Sequence, residues 1–203
     1  MNKAERYART AGITYGIVLV LDVIRQLVQG NFHLTIATTL WWSFLLLDGI
    51  VILINNRSPL LAVGAGINVL RTVYVSATSW STAARGSYID KLFVLCNVLS
   101  ALALLVLLVL WLSNRVDRRT AARSIWFLPG LLLILRYAPV WVTFNYAALQ
   151  PVSFLGLLGQ AFHLAAFFLT GAWINLYHDS ENWPFTRPET QEDDEEPEEI
   201  DWE

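Results

Sequence analysis

Five ionisable side chains of this chain stand inside long apolar stretches, where each is costly to place. They are three arginines, Arg25, Arg71 and Arg136, and two aspartates, Asp22 and Asp48. A charge near the centre of a bilayer costs about 2.5–3.5 kcal/mol on insertion scales, so it normally faces protein or water and has a partner. Because arginine does not usefully deprotonate in proteins, the surplus of arginines favours an anion, a carboxylate-bearing solute or a lipid headgroup.

Helical spacing groups these charges with other polar side chains. Asp22 and Arg25 are three residues apart, as are Gln160 and His163, so each pair shares one helix face. Counting along the apolar stretches places several of these groups at a similar depth. We therefore predict a ligand-binding site formed by Asp22, Arg25, Arg71, Arg136, Gln160 and His163.

The same charges have a structural interpretation, which the sequence leaves open. Asp22 and Arg25 can simply pair with each other, and Asp48 can pair with Arg71 or with Arg57. Arginines also satisfy themselves on backbone carbonyl oxygens. In that case the buried charges hold the helices together and bind no solute.

Catalytic chemistry has little support. The chain contains no Walker loop and no His-Glu-x-x-His, Gly-x-Ser-x-Gly or Cys-x-x-Cys motif. Asp22 and Asp48 are a conceivable intramembrane acid pair, but Asp22 has Arg25 beside it. One cysteine, Cys96, excludes an internal disulfide. We predict no catalytic residue, no cofactor and no metal site, and we lean towards a protein that is not an enzyme.

The elements that must position the charges are membrane helices. A helix needs about 20 largely apolar residues to cross a bilayer, and six such stretches can be drawn. We predict an all-α, polytopic membrane protein with six transmembrane helices at residues 11–29, 34–54, 59–80, 92–113, 125–146 and 152–176.

Basic residues predict the orientation of these helices. They concentrate in the N-terminus, at Arg57 and in the connection after the fourth span, all on one side of the predicted bundle. Such residues favour the cytoplasm. We predict a cytoplasmic N-terminus (1–10), a transmembrane domain (11–178) and a cytoplasmic tail (179–203) in a bacterial inner (plasma) membrane. Trp111, Trp126 and Trp173 near the predicted inner ends suggest an aromatic belt.

Three further patterns concern packing. Arg25, Arg71 and Arg136 lie at similar positions in the odd-numbered spans, and two even-numbered spans end in Asn-Arg, at residues 56–57 and 114–115. This suggests three related helical hairpins, although apolar helices also look alike by chance. Gly12 and Gly16 match the small-xxx-small pattern of close helix contact. Pro129 and Pro139 are expected to bend the fifth span.

The C-terminal tail is strongly acidic. Of the 17 Asp and Glu residues, ten lie in residues 189–203, which contain no Lys or Arg, so the net charge of −3 combines a basic body with an acidic tail. We predict that this tail is disordered, and the sequence leaves open whether it is only solvated or contacts basic residues of this chain or of a protein partner. Its charge disfavours nucleic acid.

Two functions follow from these patterns. The first is a small solute-binding or transport protein. In it, Arg71 and Arg136 bind the anionic part of the ligand, and the Asp22–Arg25 pair gates or couples transport. Gln160 and His163 of the sixth span add hydrogen bonds. The alternative is a non-catalytic accessory, assembly or immunity-type membrane protein that acts through a protein partner bound by the acidic tail.

Overall fold

The computed structural model describes residues 3–30, 32, 34–85, 88–143 and 150–177, and over these residues the chain is helical, with no β-strand. A π-helical segment, Trp126–Gly130, joins α5 and α6 into one continuous span. The helices are α1 (Lys3–Val28), α2 (Ile36–Leu53), α3 (Leu60–Arg85), α4 (Tyr88–Leu112), α5 (Arg118–Ile125), α6 (Leu131–Thr143) and α7 (Pro151–Leu176).

Six helices in the described residues are long and apolar enough to cross a membrane, which confirms the all-α fold of these residues and the predicted number of long apolar helices. α1 begins at Lys3 and not at residue 11 as predicted. Ala4 and Ala8 explain the early start, because these small residues are buried and let the first turns pack against the bundle. The predicted end of the fifth span, at residue 146, and the predicted disordered tail lie outside the described residues.

The six spans form a closed ring. Each span packs against the next one along the chain, and α7 returns to pack along the full length of α1. Successive spans run antiparallel, so the start of α1, the α2–α3 and α4–α5 connections and the end of α7 share one end of the bundle, here called the N-terminal end. The other is called the opposite end. Tyr15 and Thr170 link α1 to α7 through their hydroxyl groups at 3.4 Å.

Two of the connections at the N-terminal end are built alike. Asn55 ends α2 and Asn114 ends α4, both in the left-handed region, with φ of 52° and 54°. After each asparagine, a backbone N–H reaches back five residues, from Asn56 to Val51 O (3.2 Å) and from Arg115 to Leu110 O (2.9 Å). This is the Schellman arrangement. The equivalent residues of the suggested repeat are thus Asn55 and Asn114, and the predicted match of Asn56 to Asn114 was wrong by one position.

The fifth span changes helix type at one of its two prolines. The π-helical segment contains Pro129, which lacks the N–H that would continue the α-helical ladder. Ser100 of α4 donates a hydrogen bond to the Pro129 carbonyl oxygen at 2.9 Å, which joins the π-helical segment to α4. α6 continues without interruption through Pro139.

The fifth span also has a well-defined start. The Asp117 side chain caps α5 by accepting hydrogen bonds from the backbone N–H groups of Arg119 (3.0 Å) and Thr120 (3.1 Å). The hydrogen bonds with Thr120, and secondarily with Arg119, lower the pKa of the Asp117 carboxyl below its ordinary value. The ionised Asp117 carboxylate stabilises the N-terminus of α5, because negative charge there interacts favourably with the helix dipole.

Close helix packing marks the N-terminal end. A Cβ on Gly12 would lie 2.7 Å from Gly49 O, so α1 and α2 approach here as only glycine allows. Gly16, the other half of the predicted motif, has open space around it. Trp111 and Trp173 are 2% and 0% exposed and pack edge to face at 5.8 Å. The predicted aromatic belt was therefore wrong for these two residues, which belong to the core.

Candidate functional site

A polar cavity opens between α1, α2, α3, α6 and α7, in the half of the bundle towards the opposite end. Its volume is about 180 Å³. All six residues predicted for the ligand site, on four of these helices, line it: Asp22, Arg25, Arg71, Arg136, Gln160 and His163. The structure thus brings the whole predicted set together, while the assignment of these residues to a ligand stays a prediction.

Asp22 is fully engaged by protein groups. Its Oδ1 atom pairs with Arg25 Nη2 at 2.7 Å. Its Oδ2 atom accepts hydrogen bonds from Trp42 Nε1 at 2.9 Å and from Gln26 Nε2 at 3.2 Å. For this pair the structural interpretation of the sequence agrees with the geometry, because the Asp22 carboxylate offsets the charge of Arg25 inside the cavity wall.

Arg71 and Arg136 have no such partner. In the part of the chain that the structure describes, neither guanidinium lies within ion-pair distance of a carboxylate. Arg71 lies over the Trp41 ring, with 4.4 Å from its central carbon to the ring centroid, and its Nε atom has no hydrogen-bond partner among the described residues. A guanidinium offers five donors in a planar fork that suits carboxylate and phosphate oxygens. These two arginines therefore carry positive charge that the described protein groups leave unmatched.

The other wall of the cavity is aromatic and hydrogen-bonded. Tyr137 Oη lies 2.8 Å from His163 Nδ1, and Trp41 meets the His163 ring edge to face at 5.0 Å. Trp141 Nε1 donates to Gln160 Oε1 at 2.9 Å. The Gln160 amide nitrogen makes no hydrogen bond to any described residue and lies at the cavity. The sequence prediction missed the aromatic residues, although Tyr137 directly follows Arg136.

Asp48 lies apart from this cavity. It is 2% exposed and packs so tightly against α3 that a Cβ on Gly64 would collide with its Oδ1 atom. That oxygen has no hydrogen-bond partner among the described residues. The predicted pairing of Asp48 with Arg71 or Arg57 was wrong, because Arg71 points into the cavity and Arg57 is engaged elsewhere.

Arg57 is bound into the N-terminal end. Its Nη2 atom donates to the Trp111 carbonyl oxygen and to Asn114 Oδ1. Its guanidinium carbon lies 4.9 Å from the centroid of the Trp111 ring, and its backbone N–H donates to Tyr177 Oη at 3.3 Å. This arginine links the end of α4 to the chain that follows α2 and to the end of α7.

The size and charge of the cavity limit what it can hold. Three arginines and one carboxylate line it. A volume of about 180 Å³ lies below the roughly 300–1,000 Å³ of pockets that hold drug-sized ligands. The cavity therefore suits a small anion.

Comparisons of the chain with protein-family models, with curated proteins and with solved structures found no match.

Proposed function

We propose that this protein is a multi-pass membrane protein that binds a small anion in the cavity between α1, α2, α3, α6 and α7 and takes part in its transport. The ligand group is a carboxylate or a phosphate, carried by a free solute or by a lipid headgroup. The observation that carries this proposal is the pair Arg71 and Arg136, which line one cavity with no carboxylate partner among the described residues. Buried charges are paired in most proteins, so an unmatched pair of arginines calls for an anion.

The orientation belongs to the same proposal. Basic side chains gather at the N-terminal end of the bundle, in the first turns of α1, at Arg57 and along α5. By the positive-inside rule this end faces the cytoplasm, and we propose a bacterial inner membrane as the location. The cavity lies towards the opposite end, so in this orientation it would receive its ligand from outside the cytoplasm.

The test is a gentle purification of the tagged protein from its own host, followed by mass spectrometry of all bound molecules. Separate aqueous and organic extracts distinguish a free solute from a lipid headgroup. We expect one stoichiometric anion that is lost in Arg71→Gln and in Arg136→Gln. Arg123→Gln is the matched control, because Arg123 is exposed on α5 and its loss removes the same charge away from the cavity.

Two other results would change the conclusion. An anion that persists in both cavity variants would show that the arginines do not bind it. A stoichiometric second polypeptide without any anion would favour the alternative, an accessory, assembly or immunity-type protein that acts through a partner. The partner hypothesis predicts that the second polypeptide no longer copurifies when residues 189–203 are deleted. The anion-binding proposal predicts that the deletion leaves anion binding unchanged.

A further inference from the structure

A second, smaller space adjoins the cavity on the side of α4. Its volume is about 80 Å³. It shares five lining residues with the cavity: Trp41, Arg71, Arg136, Tyr137 and His163. The two arginines thus stand at the boundary of both spaces. The part that is lined by residues of α3 and α4, called here the side lobe, has its own polar groups: Asn68, Thr72, Asn97 and Ser100.

The two asparagines of the side lobe are unused by the protein. Asn68 is 9% exposed, and Asn97 is half-buried. Within the part of the chain that the structure describes, neither carboxamide makes a hydrogen bond. Neither carboxamide is among the fully enclosed polar atoms that lack a partner, so both reach the open space of the lobe. Two such amides in one small space offer hydrogen bonds to an occupant.

The two hydroxyl groups of the side lobe, on Thr72 and Ser100, already donate hydrogen bonds to the protein. Thr72 donates to the Asn68 carbonyl oxygen at 2.7 Å, and Ser100 donates to the Pro129 carbonyl oxygen at 2.9 Å. Each hydroxyl has thereby used its hydrogen and keeps lone pairs for an incoming donor. The lobe as a whole offers donors from the amides and acceptors from the amides and hydroxyls, with no carboxylate among its lining residues.

We infer that the anion bound by Arg71 and Arg136 carries a short hydroxylated end, which occupies the side lobe beside Asn68 and Asn97. A hydroxyl group both donates and accepts, as this lining requires. The lobe is also smaller than the roughly 150 Å³ cavity that holds benzene, so a short chain fits and a ring does not. This inference rests on the proposed function, since it names the class of ligand for the same site.

The experiment is isothermal titration calorimetry of the purified full chain in detergent with two matched pairs of anions. The pairs are propionate with glycerate and inorganic phosphate with glycerol phosphate. In at least one pair we expect the hydroxylated member to bind about three- to tenfold more tightly, which is the effect of one or two added hydrogen bonds. Asn68→Leu and Asn97→Leu should each reduce this preference, and together they should abolish it.

The control variant removes an amide that lies outside the side lobe. Asn175→Leu removes an amide on α7 away from both spaces and should keep the preference intact. If Arg71→Gln weakens binding of all probes but the members of each pair bind equally, the side-lobe inference fails and the proposed function stands. If no probe binds, or if binding is insensitive to Arg71→Gln, the proposed function fails with it. Thermal unfolding of each variant separates lost binding from lost folding.

Discussion

Arginine side chains at the two ends of the bundle differ in their hydrogen-bond partners. At the N-terminal end, Arg57 is 4% exposed, donates to oxygens of Trp111 and Asn114 and lies over the Trp111 ring. Towards the opposite end, Arg71 and Arg136 border a cavity, and no described carboxylate pairs with them. The first arrangement closes a packed core, and the second leaves charge facing an open space.

The difference shows how a structural arginine can be told from a candidate ligand group. All three side chains are arginines in apolar surroundings, so their residue type does not separate them. They differ in the partners of their guanidinium N–H groups. Protein oxygens of Trp111 and Asn114 accept from Arg57 Nη2, whereas Arg71 and Arg136 line a cavity with room for an anion. The following variants test this distinction.

Removal of a cavity arginine should give the largest effect, and it should fall on binding. We expect Arg136→Leu to weaken anion binding by about 2–5 kcal/mol, since it deletes one side of a buried, hydrogen-bonded charge pair. The protein should stay folded, because no described carboxylate is left unpaired. Calorimetry and thermal unfolding measure the two effects. Loss of the folded protein would instead assign Arg136 a structural role like that of Arg57.

Removal of Arg57 should have the converse result. Arg57→Leu leaves the Asn114 side chain and the Trp111 carbonyl oxygen without their donor in a packed core. We expect a loss of about 1–3 kcal/mol in stability, measured as a lower Tm in detergent. Anion affinity in the remaining folded fraction should be unchanged. A fall in affinity without a fall in Tm would contradict the contrast between the two ends.

A single added methyl group tests the packing of the N-terminal end. Gly12→Ala would place its Cβ against the backbone of α2, and we expect a destabilisation of about 1–3 kcal/mol, as is typical of overpacking. Gly16→Ala is the matched control one turn further along α1, where the space is open. Equal Tm values for the two variants would show that α1 and α2 do not approach closely here.

The smallest effect on stability is expected at the cavity. Gly159 lines it, and a Cβ there would have no atom within 4 Å. Gly159→Ala should be neutral or stabilising by up to about 1 kcal/mol, because alanine favours the helix. Gly159→Leu should fill part of the cavity and weaken anion binding. Gly66→Leu, also in open space but not among the cavity residues, is the control for added bulk and should bind normally.

The positions of the spans and the convergence of six polar residues could be predicted from the sequence. Hydropathy fixes where an apolar helix runs, and counting along it fixes the depth of a charge. Neither fixes which helices are neighbours in the ring. Asp48 was therefore assigned partners that it does not contact. Trp111 was placed in an aromatic belt, because a tryptophan near a helix end suits both a lipid interface and a core.

The side lobe was harder to foresee. Asn68 shares a helix face with Arg71, but Asn97 belongs to α4, the most apolar of the six spans. No pattern in the sequence indicates that Asn97 lies beside α3. The side lobe forms where α3 and α4 pack together, and Ser100 of α4 donates to the Pro129 carbonyl oxygen of the π-helical segment.

The closed ring has a consequence for biosynthesis. α7 supplies one wall of the cavity and makes the most extensive helix contact of α1, which includes the Tyr15–Thr170 hydrogen bond. α7 is synthesised after the other described helices, so α1 is made before the helix with which it packs most extensively. During that interval the Asp22–Arg25 pair, which is local to α1, neutralises its own charge without help from later helices. The pair thus suits the unfinished chain as well as the finished one.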